Sequence, residues 1–410
     1  MSDQSNHLKK SPNSTTLDTK EGKLSKHDQV ESELLIQLRL IDEQVAQYDE
    51  ADTSSGRVEL LERAVKLVEQ HQDIDLTLKY SLEITSALFY SEDWDLFFIY
   101  FPKLIKILDE SPQKVNFFEM LQILFRYKWF IEHSLNYPQI PISRIHALCD
   151  DLETRLLNRN YSIRPVIFFR QKLDETTRTG ESSLEHLENA LHQRIDVLSD
   201  CRACEENLVI SSYFKHGSID QGIDVFERMI AQGMSCHAVP HISYAQVGVQ
   251  LLRRGDEDRG DELFRKGWSM ISSFARKNQS IIDQHIAYFA KISDFDLVLS
   301  EIGSRVFEIW ELTNCPKSRM ESCAYMAFTL QTLYSSGVTH FEGQPVLDPQ
   351  IQYEEEGFNV QTLGILFSTQ AREISQRFDQ RNGNTRESEE IDHLIATGGF
   401  IHPVQRDFRA

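Results

Sequence analysis

The chain has 410 residues and carries 63 acidic against 43 basic side chains, which gives a formal net charge of −20. This excess of negative charge argues against a general binder of nucleic acids or of anionic membranes. No apolar run reaches about 18 residues, so we expect no transmembrane helix. Six cysteines in a chain of this length do not make a disulfide framework. We therefore expect a protein of a reducing compartment, the cytoplasm.

The N-terminal half is predicted to be a polar tail followed by helices. Residues 1–28 have no apolar segment, which indicates a disordered tail and not a secretory signal. From 29 to 200 apolar side chains recur at three- and four-residue steps, as one face of an α-helix requires. This range is predicted to hold degenerate helical repeats. The aromatic residues between 115 and 135 are typical of the core of such an array.

Residues 201–310 contain helix-turn-helix units that are related by one shift. Moving Gly217 onto Gly255, or Phe226 onto Phe264, takes 38 residues in each case. The predicted packing positions are Tyr213, Gly217, Gly222, Phe226, Gly248, Leu251, Gly255, Gly260 and Phe264. A further 38 residues lead from Gly255 to Ser293, so a third unit follows. A fixed period of this size indicates stacked units that bury their cores against each other.

These units resemble the tetratricopeptide repeat, a helix pair with a Gly at the turn and an aromatic residue in the second helix. The period of 38 residues departs from the usual period of about 34. The wider chain is similar to bacterial tetratricopeptide-like proteins of undefined function, through Cys201-x-x-Cys204-Glu205, Cys236 with Pro240-His241, and the run 378–384. The resemblance implies an all-α fold, a right-handed α-solenoid of antiparallel helix pairs with no significant sheet. It implies no activity.

The C-terminal part is predicted to be helical around one long loop. Helices are expected at 317–334 and 360–378 within the segment 311–380, on either side of a loop at 337–356. A loop of about 20 residues is long for a compact domain and is predicted to be functional or mobile. Residues 381–410 are predicted to form a polar tail with one short helical piece around 391–396.

Four residues around the first two units have the chemistry of zinc ligands: Cys201, Cys204, Cys236 and His241. His237 is an alternative fourth ligand. Zinc prefers four tetrahedral thiolate or imidazole ligands, and a two-residue spacer lets two cysteines hold one ion. The repeat register places Cys204 and His241 at the starts of the first helices of successive units. Structural zinc would then connect two repeats.

Two other interpretations of this cluster stay open. Free cysteine is often a small buried apolar residue, in which case His241 would only cap a helix. A redox CxxC motif would need a βαβ setting, which the pattern of this chain does not provide.

The sequence predicts a binding protein more readily than an enzyme. It has no GxSxG elbow, P-loop, GxGxxG or HExxH motif. We expect a non-enzymatic helical-repeat scaffold or regulator whose acidic balance favours a basic or amphipathic protein or peptide. The alternative is a zinc-dependent enzyme or redox-responsive regulator that uses the cysteine cluster, with Glu205 as the nearest acid. A third possibility is a regulator in which the loop 337–356 covers the groove of the solenoid.

Overall fold

The computed structural model of the chain describes residues 26–49, 55–91, 93–177, 181–236, 239–271 and 279–402. These residues form seventeen α-helices and a three-stranded sheet. The first helix begins at Lys26, and the rest of the predicted tail at 1–28 lies outside the described residues. Within the described ranges, the helices are too short or too polar to cross a bilayer.

The helices and strands follow in chain order. The first eight helices are α1 (Lys26–Val45), α2 (Ser55–His71), α3 (Ile74–Ser91), α4 (Trp94–Glu110), α5 (Phe117–Ser134), α6 (Ile142–Leu157), α7 (Arg164–Thr177) and α8 (Glu181–His192). The next six are α9 (Arg202–Lys215), α10 (Ile219–Ala231), α11 (His241–Arg253), α12 (Glu257–Ile271), α13 (Gln279–Lys291) and α14 (Phe295–Phe307). A π-helical turn (Glu308–Leu312) leads to α15 (Pro316–Ser335), β1 (His340–Phe341), β2 (Tyr353–Glu354), β3 (Gly357–Asn359), α16 (Val360–Asn382) and α17 (Arg386–Thr397).

The helices from α1 to α14 pack in a stack. Each contacts the next along the chain, and odd-numbered helices also contact one another: α3 with α5, α5 with α7, α9 with α11, α11 with α13, and α13 with α15. A stacked array of helix pairs has this pattern, because each pair buries its apolar face only against its neighbours.

Side-chain hydrogen bonds between units join residues that are separated by nearly the same number of positions in sequence. Examples are Tyr80 to Asp42 (38 residues), Tyr100 to Glu62 (38), Lys172 to Glu132 (40), Gln171 to Ser212 (41), Ser243 to Asn207 (36) and Arg254 to Asp220 (34). These separations bracket the shift of 38 residues found in the sequence. The periodic stacking therefore begins well before residue 201.

The turns of the three matched units share one backbone conformation. Gly217 has a φ of 73° and Gly255 a φ of 82°, and Ser293 at the equivalent position of the third unit has a φ of 64°. Left-handed backbone at a helix end satisfies carbonyl groups that the helix leaves free, and glycine adopts it at no steric cost. The three turns thus repeat one backbone conformation at the spacing of 38 residues that the sequence shows.

The small residues of the second helices permit a close approach within each unit. A Cβ added to Gly222 would lie 2.4 Å from the ring of Phe214, and one added to Gly260 would lie 2.6 Å from Leu252. The ring of Phe264 would lie 2.9 Å from a Cβ at Gly248. Of the other predicted packing positions, Phe226 and Leu251 are buried and Tyr213 is partly buried.

The C-terminal helix pair, α16 and α17, folds back onto the ends of earlier odd-numbered helices. Arg381 donates hydrogen bonds to the carbonyls of Leu135 (2.8 Å) and Tyr137 (3.1 Å), just after α5. Asn384 donates to the carbonyl of Thr176 in the last turn of α7 (2.9 Å). At the end of α11, the Arg253 Nε donates to the carbonyl of Gly399 (2.8 Å).

This arrangement explains the run 378–384 and changes the expectation for residues 381–410. The carboxylate of Asp379 accepts the backbone N–H groups of Glu387 and Ser388 and so caps α17. Ile391 and Leu394 of α17 belong to the hydrophobic core. The described part of the predicted polar tail, 381–402, is thus a packed element, because its polar groups bind backbone carbonyls of distant helices.

The loop at 337–356 leads through a small antiparallel sheet with the strand order β1-β3-β2. It is docked on the preceding helices: the indole Nε1 of Trp310 donates to Asp348 (2.9 Å). Gly343 and Gly303 approach so closely that a Cβ on either would lie within 2.8 Å of the other's backbone. The mobility expected for this loop stays a prediction.

Candidate metal centre and charged recess

Three cysteine sulfurs come together where two units of the stack meet. Cys201 is the residue before α9, and its Sγ accepts the backbone N–H of Cys204 in the first helical turn (3.5 Å). Cys236 lies in the connection between α10 and α11, and its N–H donates to the carbonyl of Val239 (2.8 Å). We call Cys201, Cys204 and Cys236 the thiol cluster. The predicted placement of these three residues is confirmed.

The distances in the thiol cluster suit one soft cation. All three sulfurs lie within 4.8 Å of one another, and those of Cys204 and Cys236 are 3.2 Å apart. Zinc–sulfur bonds of about 2.3 Å in a tetrahedral site keep the sulfurs about 3.8 Å apart, so small side-chain adjustments would fit an ion. This group could hold a metal.

The environment of Cys204 opposes a thiolate without a cation. The hydrogen bond to Cys236, burial and the hydrogen bond to Cys201 all raise the pKa of the Cys204 thiol far above its ordinary value. A bound cation reverses this balance, because a coordinated thiol loses its proton to solvent.

Of the two histidines predicted as a fourth ligand, the structure describes one. His241 is the first residue of α11, as predicted, and it is buried with only 4% of its surface exposed. Its ring nitrogens do not belong to the group of mutually close ligand atoms, which consists of the three cysteines. The alternative ligand, His237, lies outside the described residues.

Glu205, the acid next to the thiol cluster in sequence, serves a structural ion pair. Its two carboxylate oxygens accept from Nε and Nη2 of Arg164, both at 2.8 Å, and both side chains are buried. The same guanidinium donates to the carbonyl of Ala190 (2.6 Å) at the end of α8. Glu205 therefore holds α7, α8 and α9 together, and this engagement disfavours a role as a free general acid.

Sequence reasoning did not identify a second group of residues, which lines the inner ends of odd-numbered helices. Lys172 of α7 pairs with Glu132 of α5 at 2.6 Å. Lys317 of α15 lies 3.6 Å from Glu321 and also pairs with Glu387 of α17. We call Glu132, Lys172, Lys317, Glu321 and Glu387 the charged recess.

The two halves of the charged recess are connected through the backbone, because α15 begins beside the end of α5. The backbone N–H of Lys317 donates to the carbonyl of Asn136 (3.3 Å), one helical turn beyond Glu132. The only sequence signal for this group is the separation of 40 residues between Glu132 and Lys172, which is close to the repeat period.

The side chains of the charged recess reach solvent although protein surrounds them. Those of Glu132, Lys172, Lys317 and Glu321 remain 42%, 25%, 26% and 33% exposed. Lys172 lowers the pKa of Glu132 to about 2. Burial raises the pKa of Glu321, and for Lys317 the nearby carboxylates outweigh burial and raise the pKa. These charged side chains are therefore partly exposed and accessible to a partner.

Comparison with known proteins adds no relatives: no protein-family model matches the chain, and no curated protein matches it either.

Proposed function

We propose that this protein is a non-enzymatic scaffold of tetratricopeptide-like repeats that binds a protein or peptide segment in the charged recess. The single observation that carries the proposal is the accessible surface of charged side chains on α5, α7 and α15, walled by α17. Partly exposed charges of both signs select a partner by charge complementarity. The net charge of −20 favours a basic or amphipathic segment.

The proposal includes a finer architecture, a right-handed solenoid of antiparallel helix pairs. The recurring separation of inter-unit hydrogen bonds and the contacts between odd-numbered helices support the stacking of repeated units. It also includes a cytoplasmic location, which the six cysteines without disulfide bonds support.

Glu321→Gln tests the binding site, with Glu110→Gln as a matched control. Glu321 lies in the charged recess, whereas Glu110 lies on α4 with 66% of its side chain exposed. Each purified variant is titrated with the basic peptides that the wild-type protein selects from a peptide array. We expect Glu321→Gln to weaken binding by about threefold to tenfold, or about 0.7–1.4 kcal/mol, and Glu110→Gln to leave it unchanged. An array that retains no basic peptide, or equal losses in both variants, would overturn the proposal.

A second function rests on the thiol cluster. We propose that it binds structural zinc, which connects the start of α9 to the segment before α11. Three thiolates meet the preference of zinc for sulfur, and either His241, after a side-chain movement, or His237 would complete four ligands. The ion would stabilise the contact between two successive units, because the free energy of binding is available only in the folded state.

Elemental analysis of reduced, freshly purified protein tests this second proposal. We expect about one zinc ion per chain, since structural sites of this ligand type are tight. Cys204→Ser should lose the ion and lower the melting temperature. Cys315→Ser is the control, because Cys315 is also partly exposed but lies outside the thiol cluster. His241→Ala and His237→Ala identify the fourth ligand. Wild-type protein without zinc would remove the proposal.

A further inference from the structure

The thiol cluster has a second property, which is the short distance between two of its sulfurs. Cys204 Sγ and Cys236 Sγ are 3.2 Å apart. A disulfide bond joins sulfurs at about 2.05 Å, so closure needs a movement of about 1 Å. Cys236 lies in an irregular segment between α10 and α11. That segment can approach α9 without unwinding a helix.

The three sulfurs differ in their access to solvent. Cys201 is exposed, whereas Cys204 and Cys236 are half-buried behind it. Elsewhere Cys149 and Cys323 are buried, and burial raises the pKa of the Cys149 thiol to about 12. Oxidants react with accessible thiolates, so Cys201 is the first sulfur of the cluster that a dissolved oxidant meets.

We infer that the thiol cluster is an oxidation site, at which a hydroperoxide converts Cys204 and Cys236 to a disulfide through Cys201. The release of metal that accompanies this reaction rests on the proposed zinc site. The formation of the disulfide does not, since it needs only the three sulfurs.

The reaction balances in three steps. The Cys201 thiolate attacks one peroxide oxygen, so that an S–O bond forms, the O–O bond breaks, and the leaving oxygen takes a proton to become water. The Cys204 thiol then attacks the Cys201 sulfenic acid and passes its proton to the departing hydroxyl, so that an S–S bond forms and a second water leaves. Cys236 gives its proton to solvent and attacks the Cys204 sulfur in turn, and the Cys201 thiolate leaves. In total, two thiols and one hydrogen peroxide give one disulfide and two waters.

The reaction would exchange one connection between units for another. Two of the three thiolates that a metal needs become a disulfide, which is a poor ligand, so a bound ion would leave. The new covalent bond joins the same two places, the first turn of α9 and the segment before α11. Oxidation would thus change the metal content of the protein while it keeps these units together.

The experiment exposes full-length wild-type protein to one equivalent of hydrogen peroxide. The readouts are the disulfides in peptide maps and the zinc released to a colorimetric chelator. We expect a Cys204–Cys236 disulfide, with Cys149, Cys315 and Cys323 still reduced. Cys236→Ser should abolish that disulfide and Cys201→Ser should slow its formation by about tenfold or more. Cys315→Ser should behave as wild type.

The outcomes separate this inference from the zinc proposal. If zinc is missing before treatment but the disulfide forms, the zinc proposal fails and the oxidation site stands. If zinc is present and remains bound while all three thiols stay free for alkylation, the oxidation site fails and the zinc proposal stands. A disulfide that forms equally fast in Cys201→Ser would overturn the role of Cys201.

Discussion

At the scale of single residues, Gly260 tests the packing within a unit. Gly260→Leu should destabilise the protein by roughly 1–3 kcal/mol. The reason is that a Cβ at this position would already lie 2.6 Å from Leu252 and 3.4 Å from the carbonyl of Gly248. Urea unfolding midpoints measure the change. Glu262→Leu, at an exposed position of the same helix, is the control and should stay within about 0.5 kcal/mol. Equal effects of both changes would contradict the packing.

His285 predicts how stability depends on pH. It is fully buried, and burial lowers its pKa from 6.5 to about 4. Between these values the unfolded chain binds a proton that the folded protein does not. The neutral His285 therefore contributes its full share of the unfolding free energy above pH 6.5. This share, roughly 3 kcal/mol, is lost as the pH falls to about 4.

The measurement compares unfolding free energies between pH 7 and 4.5. His285→Asn keeps a donor for the carbonyl of Ile281, which the Nδ1 of His285 contacts at 2.8 Å, and it should flatten the slope. His71→Asn is the matched control, because the Nδ1 of His71 contacts the carbonyl of Leu67 in the same way on an exposed surface. This variant should keep the slope of the wild type. A His285→Asn variant with the slope of the wild type would refute the prediction.

The candidate residues show what spacing alone can predict. The register fixes where helices begin, so it correctly placed Cys204 and Cys236 near each other. It does not fix where a side chain points, and His241 is buried at its helix start without joining the thiol cluster. The charged recess escaped prediction because its members belong to helices that meet only through the tertiary fold.

At the scale of elements, Arg381 tests the docking of the C-terminal helix pair. Burial lowers the pKa of Arg381 to about 10, so it is still charged at neutral pH when it binds two carbonyls beyond α5. Arg381→Ala should cost about 2–3 kcal/mol, because hydrogen bonds to charged groups are strong and the carbonyls lose their partner. Limited proteolysis should then cut sooner near Gly383.

Arg372→Ala is the control for that change. Arg372 lies on the same helix and pairs with Asp392, and both side chains are about half exposed. Exposed pairs contribute little, so we expect a change below about 1 kcal/mol. Equal losses in the two variants would mean that Arg381 does not hold the helix pair.

The C-terminal elements also show what helical periodicity in the sequence can and cannot predict. Helical periodicity correctly indicated helices near 317–334 and 360–378, where the structure has α15 and α16. It indicated a short helical piece at 391–396, within α17, but not that this helix packs against the stack, since much of the segment is polar. The polar residues at and just before its start, Arg381, Asn384 and Arg386, bind carbonyls more than 200 residues away in sequence, and no local periodicity records such contacts.

At the scale of the whole molecule, the stack from α1 to α14 is the part that the sequence specified best. Repeat units contact only their neighbours, so one period seen in three units extends to others whose side chains have diverged. The hydrogen bond from Tyr80 to Asp42 already has the separation of the later units. Handedness does not follow from the period and stays a prediction.

The return of the C-terminal helix pair to α5, α7 and α11 has a consequence for biosynthesis. Units whose contacts span about 40 residues can assemble as soon as the next pair of helices leaves the ribosome, from the N-terminus onward. Arg381, Asn384 and Gly399 follow all of the units in sequence, so their bonds to the middle of the stack form after those units exist. Until then the inner ends of α5 and α7 stay uncovered on the nascent chain. A ribosome stalled before residue 378 would therefore present an assembled but unclosed stack, which is the form most open to chaperones.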